Sequence, residues 1–406
     1  MGNLERLYSE RAGKMRKSVI RELLKVAQDP EIISFAGGLP NPNSFPIDDL
    51  NTIIQTVMKN HGKNALQYGT TQGLTELRKS IAERAYKDGI EDVTADNVII
   101  TNGSQQALDM VGKLFLNPGD TALVGLPTYL GGINAFKSYE SNLTGIPLDK
   151  DGMRMDVLEE TIKDMLSDDI IPKFIYVVPT FQNPAGVVMP EKRRKELIDL
   201  AHEYDLVIVE DDPYGKLNYD IDHVRPIKAF DDDGRVIYMS TFSKILSPGF
   251  RLAWTIASDE LTRKMVICKQ ALDLCTNTFT QYIANEFTRQ GSLDLHILKI
   301  NEMYKPKRDQ MISAIEQYFP EGYTCNKPHG GMFAWVTLPE GIDTETIFLD
   351  AIKNKVAYVH GKAFHVDGGG ERSMRLNFSY SSNDQIEEGI KRLATVIQNR
   401  LETIKA

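Results

Sequence analysis

From about Asn97 onward, short and continuously apolar runs rich in β-branched residues alternate with helical stretches. The runs are Asn97–Thr101, Thr121–Gly125, Phe174–Val178, Leu206–Glu210, Val236–Ser240 and Leu252–Ala257. This rhythm predicts an α/β fold with a mostly parallel central sheet. Runs such as Phe174-Ile175-Tyr176-Val177-Val178 lack polar alternation, as expected of strands covered by helices on both faces. After about Glu302 the texture changes. A helical stretch ends at Pro320, and Gly330–Val336, Val356–Val359 and Met374–Phe378 read as strands of a smaller α+β domain. In Met374–Ser379 apolar and polar residues alternate, so one face packs while Arg375 and Asn377 face a polar space, solvent or a cleft. No repeat of fixed period is present, and Gly368-Gly369-Gly370 reads as a turn.

Composition narrows the function class. With 406 residues and 42% hydrophobic content the chain can bury a large core. Its 47 basic against 56 acidic residues give a net charge of -9, which disfavours nucleic acid as a partner and favours small-molecule chemistry. Three cysteines, Cys268, Cys275 and Cys325, without C-x-x-C spacing suggest neither a disulfide framework nor a metal site, and fit a reducing, cytoplasmic location. The N-terminus lacks a signal-peptide-like apolar stretch, Arg6 stands where myristoylation wants Ser or Thr, and the apolar runs are strand-sized. No lipid anchor or membrane partner is expected.

The residues that follow the apolar runs are chemically unusual. Ligands of open parallel sheets bind at the carboxyl ends of the strands. After the first run, Asn102-Gly103-Ser104-Gln105-Gln106 opens a helix whose free N–H groups make an anion site. Asn183, in Gln182-Asn183-Pro184, is a turn residue or a donor into the cleft. Glu210-Asp211-Asp212-Pro213-Tyr214 places acids behind a buried strand, where a carboxylate is costly unless a cation pairs with it. Lys244, in Thr241-Phe242-Ser243-Lys244-Ile245, is flanked by apolar residues that lower its pKa and free the amine to form a Schiff base. An anion cradle, an amide, a carboxylate and a lysine at one sheet edge match pyridoxal 5'-phosphate (PLP). The helix N–H groups and Arg251 would hold the phosphate, Asp211 would keep the pyridine nitrogen protonated, and Lys244 would carry the aldehyde. Asn183 and Tyr214 would bond the phenolic oxygen.

Taken in order along the chain, these motifs resemble the class I/II aminotransferases of PLP fold type I, and most closely the 2-aminoadipate and kynurenine aminotransferase II group. The likeness runs from Ser18–Leu24 and Phe35–Pro40 through Ala65–Gly69, Gly-Ser-Gln-Gln-Ala-Leu, Gln-Asn-Pro, Glu-Asp-Asp-Pro-Tyr and Ser-Lys-x-x-x-Pro-Gly-x-Arg to Arg375. It implies a large PLP-binding domain over residues 46–300, a small domain over 301–406, and an N-terminal segment, 1–45, joining the small domain. It further implies that Tyr129 stacks on the cofactor ring and that Arg375 clamps the substrate α-carboxylate. Gly103, Ser104, Gln105, Thr241 and Ser243 surround the phosphate, and Tyr68 reaches the phosphate of a partner subunit, so that each site is built in a homodimer. Gly38 would offer its backbone beside the substrate, and Arg21, on an N-terminal helix read as a lid, would sort side chains. Thr241 stands where the family often has serine, and His360 where it often has proline; His360 reads as a loop residue.

The expected reaction is a ping-pong transfer of an amino group from an L-amino acid, 2-aminoadipate-like or broadly aromatic and branched-chain, to 2-oxoglutarate, with Lys244 as tether and base. Rival readings are a PLP-dependent lyase or decarboxylase on the same fold, and a non-catalytic effector-binding protein, which the absence of a basic helix-turn-helix extension before the motifs disfavours.

Overall fold

The computed structural model describes residues 4–15 and 29–405. An eight-stranded sheet forms its centre. Its strands are β2 (Val98–Thr101), β3 (Thr121–Leu126), β4 (Asn142–Asp149), β5 (Gly152–Met153), β6 (Phe174–Val177), β7 (Val207–Asp211), β8 (Val236–Thr241) and β9 (Ala253–Ile256), after a short β1 (Ile33–Ser34) that lies elsewhere. The spatial order is β2-β9-β8-β7-β6-β3-β4-β5. The pairs from β4 through β3, β6 and β7 to β8 are parallel, whereas β9 is antiparallel to both β8 and β2. Two reversals restore the direction, so β2 ends at the same edge as β6, β7 and β8, and β9 begins there.

Successive residues of the central strands go to opposite helical layers, which explains their unbroken apolarity. Phe174, Tyr176, Val209 and Ile237 pack with helices Ser104–Phe115 and Leu130–Lys137. Ile175, Val177, Ile208 and Val236 pack with helices Met155–Ser167 and Glu191–Glu203. The sequence pattern does not anticipate β4, because Thr144, Gly145 and Pro147 break its apolar run and much of it is only half-buried.

A second sheet, in the order β10-β11-β14-β13, comprises β10 (Thr324–Cys325), β11 (Phe333–Thr337), β13 (Val359–His360) and β14 (Ser373–Asn377). Beside it β1 pairs in parallel with β12 (Val356–Ala357), so residues 33–34 join the C-terminal part of the chain. Helix Ser292–Tyr318 serves two cores: Leu293, Ile297 and Tyr304 pack toward the large sheet, Met311 and Ile315 toward the small one. His360 is a strand residue paired with Met374, not a loop residue, because the small sheet extends past Val359 and buries its ring. Arg375 faces the cleft, while Asn377 is bonded to Met332 O and Ser379 Oγ in a buried polar knot. Among the described residues, no helix is long and apolar enough to cross a membrane.

Candidate active site

At the carboxyl edge of the large sheet lies a cavity of about 530 Å³, closed on its far side by β11 and β14. Gly38, Ser104, Gln105, Tyr129, Asn183, Asp211, Tyr214, Thr241, Ser243, Lys244, Arg251 and Arg375 all line it. Twelve of the fifteen side chains and backbones named from the sequence thus meet at one place.

Each is delivered by a definite local structure. Asp211 is the last residue of β7 and is 1% exposed. Burial pushes its carboxyl up to about 7, opposed by a hydrogen bond from the Tyr176 hydroxyl to Oδ2 at 2.8 Å, and Oδ1 has no partner. Of the three consecutive acids only Asp211 faces the cavity. Glu210 turns away to accept Ile227 N–H at 2.8 Å and Lys228 N–H at 2.9 Å, and Asp212 accepts the Gly215 N–H at 2.9 Å. Strand alternation decides among them.

Lys244 sits just beyond β8, and its Nζ donates to Gly38 O at 2.8 Å. Burial brings its pKa from 10.5 down to about 8, with the charges of Arg375 and Arg251 adding to the fall. Thr241 Oγ1 accepts the Ser243 N–H at 3.0 Å and donates to Leu252 O, which holds the two hydroxyls side by side. Opposite them, Gly103 at the N-cap of helix Ser104–Phe115 has φ +73 and offers no side-chain cap to the first turn. A Cβ at Gly103 would collide with the Arg251 guanidinium, so glycine is what lets the arginine lie against the helix N-terminus. Arg251 itself has φ 54, a left-handed conformation uncommon for a residue with a Cβ. Gln105 is exposed and bonds Gly131 O at 3.3 Å.

On the other wall Arg375, in β14, is 1% exposed. Its Nη1 donates to Asn183 Oδ1 at 2.9 Å and its Nη2 to Ala36 O at 2.8 Å, while Nε has no partner. The guanidinium carbon lies 4.2 Å from the ring centre of Phe333 and 5.0 Å from that of Phe364. Asn183 Nδ2 completes the chain of contacts with a bond to Tyr214 Oη at 3.2 Å.

The profile of the family described as "Aminotransferase class I and II" matches residues 41–393. The chain belongs to this aminotransferase family. An aromatic-amino-acid aminotransferase 1 of Thermococcus litoralis is 50% identical over 397 residues, covering 98% of this chain and 95% of that one. A 2-aminoadipate transaminase of Thermus thermophilus is 36% identical, covering 97% of each chain. A solved kynurenine aminotransferase of Pyrococcus horikoshii, in complex with PMP, with KYN as substrates and KYA as products, superposes with a TM-score of 0.95 at 50% identity, covering 98% of this chain and 99% of that one.

Of the three residues outside the lining, Gly103 stands at the N-cap of the helix beside Arg251, and Tyr68 and Arg21 remain. Tyr68 is 81% exposed and stands apart from this chain's own cavity. Arg21, and with it the segment read as a lid, lies outside the described residues. Gly38, already among the lining residues, meets Lys244 through its carbonyl. The sequence reading passed over Tyr176 and Phe333. Tyr176 is hidden in an apolar strand run, where an aromatic reads as core. Phe333 lines the cavity and packs against Gly38, where a Cβ would sit 3.1 Å from its ring, yet it too reads as an ordinary strand aromatic.

Proposed function

We propose that this aminotransferase uses PLP to carry the amino group of an L-amino acid to 2-oxoglutarate in two alternating half-reactions, as a cytoplasmic homodimer with shared sites. The observation that carries the reading is the convergence of Lys244 Nζ, the unpartnered Oδ1 of Asp211 and the buried guanidinium of Arg375 on one cavity. The residues fit the cofactor on the chain's own unmet needs. A buried carboxylate oxygen lacks a donor at Asp211, the Ser104 hydroxyl lacks a partner, and Arg251 lies against an uncapped helix N-terminus.

When bound, PLP supplies an aldehyde that accepts the amino group and a protonated ring that takes up electrons as the substrate Cα–H bond breaks. Gly103, Ser104, Gln105, Thr241, Ser243 and Arg251 would hold the phosphate, with Tyr68 of a second copy. Asp211 would pair with the ring nitrogen, Tyr129 would cover the ring, and Asn183 and Tyr214 would bond its phenolic oxygen. Arg375 holds the α-carboxylate of donor and acceptor in turn, which orients Cα toward Lys244. Lys244 Nζ then receives the Cα proton and returns it, a task suited to an amine with a pKa of about 8. Leu39, Tyr129, Pro213 and Phe333 give the cavity an apolar wall that supports an aromatic donor. The names borne by the relatives, aromatic and 2-aminoadipate, support the same range, with Arg21 as partner for an acidic side chain. Three cysteines, odd in number and without C-x-x-C spacing, support a reducing compartment.

The test is a visible-absorbance titration of the PLP-loaded protein with 2-aminoadipate, glutamate, leucine, phenylalanine and methionine. Loss of the aldehyde-form band, reversed by 2-oxoglutarate, is the expected result and ranks the donors. A band that ignores every donor overturns the reading, as does release of pyruvate with ammonia when serine or cysteine is added to the same panel.

A further inference from the structure

Beside Asp211 lies a second buried titratable group. Tyr176, in the middle of β6, is fully buried, and its hydroxyl donates to Asp211 Oδ2 at 2.8 Å while Oδ1 is left unpartnered. The neighbours of Tyr176 along the strand, Phe174, Ile175 and Val177, are apolar, and phenylalanine would fill the same space. The hydroxyl is therefore a specific addition, and the surrounding structure makes room for it. A Cβ at Gly132 would sit 2.9 Å from Tyr176 Cε1 and 3.2 Å from Oη, so helix Leu130–Lys137 omits a side chain where the phenol passes. Phe136 packs edge-on against the ring at 5.3 Å and fixes its plane.

The other charged and titratable groups around Asp211 cannot replace this bond. Asp212, the next residue of the chain beyond the strand, favours the protonated form of Asp211. Tyr129 and Tyr214 border the cavity above it, and the cations Lys244, Arg251 and Arg375 line the cavity walls. Tyr176 is the hydrogen-bond donor that the carboxylate has within the described chain.

We propose that Tyr176 is a positioning residue that decides where the proton shared by Asp211 and the ring nitrogen of PLP resides. By donating to Oδ2 it aims Oδ1 at the cavity and lowers the proton affinity of the carboxylate, so the proton stays on nitrogen. Without the phenol O–H the same proton passes from nitrogen to Oδ1. A carboxylate–pyridinium pair becomes a carboxylic acid–pyridine pair, with no net change in charge. The inference rests on the proposed placement of PLP over Asp211.

The experiment uses PLP labelled with 15N in the ring, bound to the full-length protein. The wild-type resonance is expected in the pyridinium range. Tyr176→Phe, which keeps the ring and its packing, is expected to move the resonance toward neutral pyridine and to weaken cofactor binding by about tenfold, the loss of one hydrogen bond to a charged group. A Tyr176→Phe resonance identical to wild type overturns the proposal. If that variant does not fold, 3-fluorotyrosine introduced at Tyr176 keeps the packing and strengthens the donor. Pyridinium should then persist to higher pH, and an unchanged or lowered titration overturns the proposal. Asp211→Asn separates the two claims, since it should abolish the pyridinium signal whatever Tyr176 does. If it binds PLP with the wild-type resonance, the placement of PLP over Asp211 is itself wrong.

Discussion

Lys244 owes its reactivity to its surroundings rather than to its residue type. With its pKa brought down to about 8 by burial and by two nearby guanidinium groups, the amine is mostly ammonium below that pH and mostly free above it. Capture of PLP by the cofactor-free protein should therefore rise with pH and reach half its maximum near about pH 8, as measured by stopped-flow absorbance, rather than near the 10.5 of an ordinary lysine. Lys244→Ala should lower the rate of Cα proton removal by about 10²–10⁴-fold in single-turnover experiments. Arg375→Lys keeps the charge but loses the planar fork, and should raise KM for donor and acceptor alike by about tenfold or more. Lysine 244 is legible in the sequence because its flanking residues are apolar. Asp211 is likewise picked out of the three acids in the sequence. What the sequence does not supply is the reason its neighbours are excluded, since that depends on the side each faces: Glu210 turns away to the Ile227 and Lys228 N–H groups and Asp212 to the Gly215 N–H.

At the scale of elements, the unbroken apolar runs identify the strands that are covered on both faces. They fail for β4, where proline and glycine interrupt a strand near the sheet edge. They are also silent on direction: β9 looks like its neighbours but runs against them, and that reversal brings Arg251, two residues before it, to the site edge. The strand bearing Asp211 is anchored behind by Arg194 of helix Glu191–Glu203. Its guanidinium lies 3.8 Å from Glu210 with both side chains fully buried, and bonds Met189 O at 2.8 Å and Arg225 O at 3.0 Å. Arg194→Leu leaves Glu210 buried without a cation and should cost about 3–5 kcal/mol in urea-unfolding measurements, with donor specificity unchanged in the fraction that folds.

Across the whole molecule, the site draws on both ends of the chain. The proposed sharing of Tyr68 between copies makes a sharp prediction for mixed dimers. Lys244→Ala and Tyr68→Ala homodimers should each be impaired, but a heterodimer of the two has one site with both native residues and should regain up to half of wild-type kcat. Purification of the differently tagged heterodimer and a steady-state assay decide the matter; no recovery would place Tyr68 outside the partner's site. The group that would grip the substrate carboxylate also has partners within the chain: the Arg375 guanidinium bonds Asn183 Oδ1 and Ala36 O. Binding is then an exchange of partners, in which each new contact replaces an old one and only the difference counts toward affinity. A carboxylate on that guanidinium competes with the Ala36 carbonyl, so its net hold is smaller than its gross contacts. For an enzyme that must let one product go before it can admit the second reactant, that smaller net hold helps the cycle turn.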